Sequence, residues 1–185
     1  MKEKIVEIEI KKSIELSEKE KNLINKHRVI EFDEEARIDF SKKDNKESKF
    51  FLVKSIGKIV AFGMLTPISI VYQNKKYNIL GFGSGIAIKK GKGYGRLLMA
   101  LRIAYTKSKN KTGIGFCGRH NLKRFEAYGM KTKKDYIKRF IYRNPRTLEE
   151  SKDPDGDMIY TEGPDKLVTR MLKTKSIAYC NKPHW

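Results

Sequence analysis

The chain has 185 residues, of which 39% are hydrophobic, and a formal net charge of +19 from 41 Lys and Arg against 22 Asp and Glu. This length predicts one domain, residues 1–185, with a sizeable core, and this hydrophobic content excludes a disordered chain. No apolar run approaches the ~20 residues that a membrane-spanning helix needs, so no membrane span is expected.

Cysteine and histidine content narrows the class of protein further. Cys117 and Cys180 are the two cysteines of the chain, and three histidines are scattered along it. Two cysteines are too few for a disulfide framework, so we expect a reduced protein in the cytoplasm and no metal site. Residues 1–5 alternate charge without an apolar stretch, so we expect no secretory signal.

The excess of positive charge favours a negatively charged ligand such as a phosphorylated molecule, a nucleic acid or an anionic membrane. Lysines, however, are spread through nearly every segment instead of forming one block. We therefore expect a mostly solvated lysine surface, with local use of cations at one phosphate-binding loop, and we do not expect nucleic acid as the partner.

The predicted elements begin with a strand and a helix. Residues 4–10 alternate apolar and charged side chains, which predicts a strand with one buried face. Ser17-Glu18-Lys19-Glu20 has the form of a capping box and predicts the start of a helix. Residues 31–40 carry five acids: Glu31, Asp33, Glu34, Glu35 and Asp39. They form either a solvated helix face or the lining of a site for a cationic substrate.

Three strands are predicted next. Residues 41–49 are polar and predict a loop. Two apolar runs, 50–54 and 59–65, flank Ser55-Ile56-Gly57-Lys58 and predict a hairpin. Pro67 is expected to end or bend the second strand, which residues 68–72 can continue. The third strand covers residues 77–88.

The sequence Lys89-Lys90-Gly91-Lys92-Gly93-Tyr94-Gly95-Arg96 follows this third strand and precedes a helix predicted over 97–105. Glycines let backbone N–H groups approach a ligand, and a helix N-terminus adds unpaired donors and partial positive charge. The combination suits a phosphate or pyrophosphate. Neither the Walker pattern nor the dinucleotide pattern is complete, because Gly95-Arg96-Leu97 replaces Gly-Lys-Ser/Thr and no acidic residue occurs over 111–115.

The C-terminal half predicts shorter elements. Strands are predicted over 113–117, 136–142, 158–161 and 176–180, and a short helix over 121–128 that Gly129 ends. If the strand 113–117 lies beside the strand that ends at Ile88, the two could splay and admit a ligand arm between them. Mixed strands with intervening helices predict an α+β or α/β three-layer domain.

The pattern Lys90-x-x-Gly93-x-Gly95 resembles the Gln/Arg-x-x-Gly-x-Gly/Ala pyrophosphate loop of the GNAT N-acetyltransferase superfamily, with lysine in the first place. The order of predicted elements over residues 3–142 also resembles this family. The resemblance implies a three-layer GNAT fold: a central mixed, mostly antiparallel sheet with a splayed parallel strand pair and helices on both faces. It further implies acetyl-CoA as the cofactor and N-acetyltransfer as the activity.

A narrower resemblance is to aminoglycoside 2'-N-acetyltransferases. It rests on residues 71–88, the short helix, the tail segment Asp153-x-Asp155-Gly156 and the terminal Trp185. In those enzymes an acidic residue precedes the end of the central strand and is the candidate general base, whereas Ser84 occupies this position here. Many GNAT enzymes also carry a general-acid tyrosine in the short helix. Counting back from Gly129 gives Phe125, and counting forward from Asn121 gives Tyr128, which we choose for its hydroxyl.

The resemblance implies the following roles. Catalysis involves Tyr128 as general acid, Ser84 as anchor of a water, and the Ile86 N–H as donor to the thioester carbonyl. Asp33, Glu35 and the Trp185 carboxylate bind a cationic acceptor. Acetyl-CoA is bound by Ile86, Ala87, Ile88, Lys90, Gly91, Lys92, Gly93, Tyr94, Gly95, Arg96 and Asn121.

Three functions remain open from the sequence. The first is acetylation of a small-molecule primary amine such as an aminoglycoside or another polycation. The second is the same chemistry on a protein amine or an amino acid derivative. The third is a basic nucleic-acid-binding module with a degenerate cofactor loop. A homodimer is also left open.

Overall fold

The computed structural model describes residues 5–153 and 155–182. Ten strands are present: β1 (Val6–Lys12), β2 (Lys49–Ser55), β3 (Lys58–Tyr72), β4 (Lys75–Ala87), β5 (Gly113–Cys117), β6 (Lys131–Lys133), β7 (Phe140–Arg143), β8 (Glu150–Ser151), β9 (Asp157–Thr161) and β10 (Ala178–Cys180). The α-helices are α1 (Glu18–Phe32), α2 (Lys43–Lys46), α3 (Tyr94–Ser108), α4 (Leu122–Ala127) and α5 (Leu167–Leu172). No helix among the described residues is both long and apolar enough to cross a membrane.

The chain divides into two compact units, and each is described by itself. Unit 1 comprises Met1–Thr66 and Gly83–Arg102, and unit 2 comprises Pro67–Phe82 and Ile103–Trp185. The long strands β3 and β4 and the helix α3 therefore contribute residues to both units. The expectation of a single domain over residues 1–185 stays a prediction.

Unit 1 has helices on both faces of an antiparallel meander of β1, β2 and β3. On one face, Ile24 of α1 is fully buried in a cluster with Leu52 and Phe62. On the other face, α3 places Arg102 against Gly63 of β3. This arrangement confirms the layered organisation that the resemblance implied.

The start of α1 confirms the predicted capping box. The Ser17 hydroxyl accepts from the Glu20 N–H at 3.3 Å, and the Glu20 carboxylate accepts from the Ser17 N–H at 2.9 Å. Both bonds satisfy donors that a helix N-terminus leaves unpaired. The helix extends further than the sequence suggested, because it ends at Phe32 and a 3-10 turn follows at Glu34–Ala36.

The apolar face of β1 corrects the sequence analysis. Val6, Ile8 and Ile10 are 37%, 43% and 45% exposed, although alternation predicted that this face would be buried. The opposite, charged face of β1 lies against α1, where Lys11 bonds Glu20 of the helix at 2.8 Å. The helix therefore covers the charged side of the strand and leaves the apolar side at the surface.

Other boundaries also differ from expectation. Pro67 is exposed, and β3 continues past it to Tyr72, which is the continuation that the sequence left open. The loop expected over 41–49 contains α2. The strand predicted over 136–142 begins at Phe140, because a 3-10 turn occupies Ile137–Arg139. Besides α2, three short elements were not predicted: β6, β8 and α5.

In unit 2, the strand segments follow the order β6, β9, β5, β4, β3, β10, β7 and β8. The pair β4–β5 is parallel and ends at Phe82 opposite Gly115, although β4 itself continues to Ala87. This short ladder confirms the splayed parallel pair. The helix α5 supplies Leu167, Val168 and Met171 to the core of this unit.

A buried carboxylate also organises unit 2. Asp157 is 2% exposed and accepts from the Asp135 N–H at 2.7 Å and from the Arg119 Nε at 3.3 Å. The hydrogen bond from Arg119 holds the pKa of Asp157 below its ordinary value.

We predict that Asp157→Asn lowers the free energy of unfolding by about 1–3 kcal/mol at pH 7, because the charge-assisted bonds from Arg119 are lost. A depressed folded-state pKa stabilises the fold above the unfolded-state pKa, and this contribution disappears as pH falls through the folded-state pKa. Urea unfolding at pH 7 and at pH 3 should therefore show the difference between wild type and variant shrinking in acid. Asp155→Asn is the control, since Asp155 is exposed and lies 3.9 Å from Lys138; an equal loss in both variants would contradict the prediction.

Candidate functional site

The predicted phosphate loop connects the end of β4 to the start of α3, entirely within unit 1. Gly91 and Gly93 have φ of +75° and +80°, in the left-handed region that favours glycine. A Cβ built on either glycine meets no atom within 4 Å. The backbone of this loop is therefore open on the side where a side chain would stand, and a ligand can approach it closely.

The first turn of α3 adds backbone donors next to this loop. The Leu97 N–H donates to the Gly93 carbonyl at 3.1 Å, which is the first bond of the helix. The N–H groups of the three preceding residues have no helical acceptor. The Tyr94 side chain is 8% exposed, so Tyr94 can contribute only its N–H to a ligand. With the exposed cations Lys89, Lys92 and Arg96, this junction has the chemistry that binds a pyrophosphate.

Lys90, the first residue of the predicted loop pattern, pairs with Glu31 at 3.4 Å. Its side chain is 78% exposed, so this ion pair is weak. The contact links the loop to the end of α1. Lys90 is thus available to an anion only in competition with Glu31.

The end of β4 was predicted to pair with the pantetheine arm of acetyl-CoA over Ile86–Ile88. The Ile88 and Lys89 N–H groups both donate to the Val60 carbonyl, at 2.9 and 3.1 Å. The Ile88 donor is therefore occupied within the protein, while its neighbour Ala87 is half-buried. The Ile86 side chain is buried in the apolar cluster beside α1, which fixes this part of the backbone.

Ser84 has two properties that distinguish it from the rest of β4. Its φ is +49°, which interrupts regular strand geometry and is unfavourable for a non-glycine residue. Its side chain is 9% exposed, and its hydroxyl has no hydrogen-bond partner among the described residues. A buried hydroxyl without a partner is costly, so Ser84 is suited to hold a water or a substrate group.

Arg102 of α3 is a functional candidate that the sequence analysis missed. It is 1% exposed, and its Nη2 donates to the carbonyl oxygens of Met64 at 2.8 Å and Gly83 at 2.9 Å. Burial lowers the pKa of its guanidinium to about 9, so the group stays charged at neutral pH. Arg102 thereby bridges β3 to the part of β4 that carries Ser84.

A sequence signal for Arg102 existed. The residue follows buried Leu98 by four positions, so it lies on the buried face of α3. A Cβ on Gly63 would lie 2.9 Å from Arg102 Nη1, and one on Gly85 would lie 3.0 Å from it. Glycines at these two strand positions thus make room for the guanidinium.

The acidic segment, residues 31–39, is largely paired within unit 1. Both carboxylate oxygens of Glu34 accept from the Arg37 guanidinium, and the Asp33 carboxylate accepts from the Ala36 N–H at 3.2 Å. Asp39 accepts from Ser41 at 2.6 Å. Glu35 is exposed and makes no recorded hydrogen bond or ion pair within the described part of the chain. The structure thus gives four of the five acids an internal contact, counting Glu31 with Lys90.

The remaining predicted residues lie in unit 2 or outside the described residues. Asn121 ends a 3-10 turn, and its side chain contacts His120 at 2.9 Å. Tyr128 follows α4 as its C-terminal cap, half-buried, with its ring edge-on to Phe125 at 6.3 Å. Trp185 lies outside the described residues. The roles of these three residues stay predictions.

Neither cysteine has the properties of a nucleophile. Burial raises the pKa of the Cys117 thiol to about 11, with a further contribution from Asp157. Burial likewise raises the pKa of Cys180 to about 12. Both thiols are therefore protonated at neutral pH, whereas the thiolate is the reactive form.

Comparison with solved structures identifies the fold. Escherichia coli ElaA is 14% identical with a TM-score of 0.59, over 85% of this chain and 100% of that chain. An acyl-CoA N-acyltransferase from Pseudomonas aeruginosa is 12% identical with a TM-score of 0.58, over the same shares. No protein-family model and no curated protein sequence matches the chain. The chain has the fold of the GNAT acetyltransferases, as its sequence pattern implied.

We predict that Arg102→Met lowers the free energy of unfolding by about 1–3 kcal/mol, because buried carbonyl groups lose a donor. Arg96→Met is the control, since Arg96 is exposed on the same helix and should change stability by less than about 0.5 kcal/mol. Gly63→Ala should destabilise the wild type, because its Cβ would crowd the guanidinium, and should cost less in the Arg102→Met background. Additive losses in this double-mutant cycle, measured by urea unfolding, would contradict the proposed contact.

Proposed function

We propose that the protein is an acetyl-CoA-dependent N-acetyltransferase that acts on a primary amine. The observation that carries this proposal is the junction of β4 and α3, where two left-handed glycines leave the backbone open beside a helix N-terminus. Exposed cations surround this junction, as the two negative charges of a pyrophosphate require. The unpartnered hydroxyl of Ser84 marks a second polar position in the same unit.

In this proposal, residues Lys90–Arg96 hold the pyrophosphate, mainly through backbone N–H groups. Ile86 and Ala87 offer backbone groups to the peptide-like pantetheine arm, while Ile88 contributes packing because its N–H is occupied. Acetyl-CoA supplies an activated acetyl group as its thioester. The protein supplies orientation and fixed donors, which is how binding energy lowers a reaction barrier.

The chemistry forms one C–N bond and breaks one C–S bond. The amine must lose a proton, and Ser84 can anchor the water that starts this transfer. As the C–N bond forms, negative charge develops on the carbonyl oxygen, where the Ile86 N–H would donate. When the C–S bond breaks, the thiolate needs a proton, and Tyr128 keeps the role of general acid that the resemblance implied.

Two classes of amine are candidates for the acetyl acceptor. A small polycation such as an aminoglycoside is favoured by the acidic segment, in which Glu35 is exposed. A protein amine or an amino acid derivative is favoured by the internal pairing of the other four acids, which reduces the negative charge that segment offers a ligand. A panel of amines assayed for release of free coenzyme A thiol separates these classes.

We predict that Gly93→Asp weakens acetyl-CoA binding more than tenfold, or about 1.4 kcal/mol, because a carboxylate would stand where the phosphates bind. Gly57→Asp is the matched control, since Gly57 has φ of +67° and open space around its Cβ but lies in the β2–β3 turn. Both variants carry the same backbone strain, so only the loop variant should lose affinity in isothermal titration calorimetry.

Two further loop variants sharpen this test. Gly95→Asp places an acid in the first turn of α3, which favours the helix but repels a phosphate, so stability and affinity should change in opposite directions. Lys90→Ala should weaken binding less than either aspartate variant, because Lys90 is paired with Glu31. Unchanged affinity in folded Gly93→Asp and Gly95→Asp proteins would refute the cofactor site.

We predict that Asp33→Asn combined with Glu35→Gln raises the KM for a polycationic amine by roughly two- to fivefold per lost contact, as for exposed ion pairs. Asparagine retains the cap that Asp33 provides to Ala36, so the fold should be preserved. Deletion of Trp185 should have the same effect, and added salt should weaken acceptor binding in the wild type. A wild-type KM for every amine in both variants would leave the second acceptor class as the better candidate.

A further inference from the structure

The strand β1 forms an edge of the unit 1 sheet and pairs along one side with β2. Its other side has no strand partner among the described residues. Its apolar residues Val6, Ile8 and Ile10 are 37%, 43% and 45% exposed. An unpaired edge that carries exposed β-branched side chains is a template for pairing with another strand.

The hydrogen bonds at the end of β1 show which backbone groups point outward. The Ser13 N–H donates to the Ser48 carbonyl on the β2 side at 2.9 Å, and Lys12 lies opposite Lys49 in the register. Because backbone groups of successive residues point to opposite sides, those of the even-numbered residues point away from β2. The Lys12 N–H accordingly bonds the Glu15 carboxylate at 2.6 Å instead of β2.

The free edge therefore presents the backbone groups of Val6, Ile8 and Ile10, and it ends where Glu15 caps Lys12. The charges along the strand are asymmetric: Glu7 and Glu9 come first, and Lys11 and Lys12 follow. A strand that is acidic at its start and basic at its end is complementary to itself when a second copy runs antiparallel.

We propose that β1 pairs antiparallel with β1 of a second copy of this chain, centred on Glu9. In this register Ile8 lies opposite Ile10 of the second copy, and both residues offer outward backbone groups. Glu7, which is exposed, lies opposite Lys11 of the second copy. The two sheets become continuous, and the apolar residues that α1 leaves exposed lie beside those of the second copy as cross-strand neighbours on the same face.

Neighbouring registers are less favourable. Pairing centred on Ile8 places Glu7 opposite Glu9, which brings like charges together twice. Pairing centred on Ile10 places Ile8 opposite Lys12, whose N–H is already occupied by Glu15, so only the central Ile10 pair joins two outward N–H groups that are not used by Glu15. In the proposed register Lys12 lies opposite Val6 at each end, and the two central pairs of Ile8 with Ile10 do not involve the occupied N–H. In the proposed register the two Glu9 residues meet at the symmetry axis, but each carboxylate is held by Lys54 at 2.6 Å and Lys11 at 3.1 Å. These bonds hold the pKa of Glu9 below its ordinary value and neutralise the charge locally.

The mass of the intact chain in solution tests the proposal. Sedimentation velocity over a concentration series should show a species of twice the 21.5 kDa chain mass. Ile8→Pro removes an outward N–H without removing a bond to β2 and should raise the dimer dissociation constant at least about tenfold. Glu7→Lys places two lysines opposite each other and should act in the same direction. Glu18→Lys, on the exposed side of α1, is the matched charge control and should leave the constant unchanged.

Single cysteines test the register. Two residues on a symmetry axis at a non-hydrogen-bonded position have Cα atoms about 4.5 Å apart, within the range for a disulfide. Glu9→Cys should therefore give a covalent dimer on mild oxidation, and Ile8→Cys and Ile10→Cys should give much less. The wild type, with Cys117 and Cys180, is the blank. A wild type that is monomeric at every concentration, or a dimer that Ile8→Pro and Glu7→Lys leave intact, would overturn the proposal.

Discussion

The guanidinium of Arg102 is the constraint on which the rest of unit 1 depends. A buried charge costs several kcal/mol of solvation, and the protein offsets this cost with carbonyl acceptors on two adjacent strands. Gly63 and Gly85 lack the side chains that would collide with it. One cation on α3 thus determines two glycines in the sheet and aligns the helix with the strand that leads into the loop. The N-terminal donors of that helix are held in place by the same contact.

The net charge of +19 is distributed in a way that preserves the positive potential of the loop. Many of the acids in unit 1 serve local structure: Glu20 caps α1 and binds Lys11, while Asp33 caps a 3-10 turn. Glu31 approaches Lys90 but leaves Lys89 and Lys92 without a recorded acidic partner among the described residues. An incoming anion therefore meets little competing negative charge. These contacts also argue against a strongly acidic acceptor site, because most of the acids named here already make hydrogen bonds or ion pairs within unit 1.

Sequence patterns predicted the elements whose signals are local. The capping box at Ser17, the glycine loop before α3 and the strand Gly113–Cys117 were all readable from spacing and residue type. The missed features depend on contacts between distant segments. The 3-10 turn at Ile137–Arg139 interrupts a run that looks like a strand, and α5 is short and held by core packing of Leu167 and Met171. Periodicity predicted that the apolar face of β1 would be buried, and this was wrong because α1 lies against the charged face, where Lys11 bonds Glu20.

The positions where local rules fail are also those with a candidate function. Serine disfavours the left-handed conformation that Ser84 adopts, and a polar side chain buried without a partner is costly. Arginine is out of place on the buried face of a helix, and isoleucine is out of place on an exposed strand edge. The cost at Arg102 is offset by its carbonyl acceptors, whereas the Ser84 hydroxyl has no hydrogen-bond partner among the described residues. Ser84 lies in the strand that leads to the glycine loop, Arg102 fixes that strand, and Ile8 and Ile10 lie at the edge proposed to bind a second copy. The proposed cofactor site and the proposed contact with a second copy therefore both depend on residues that break local rules.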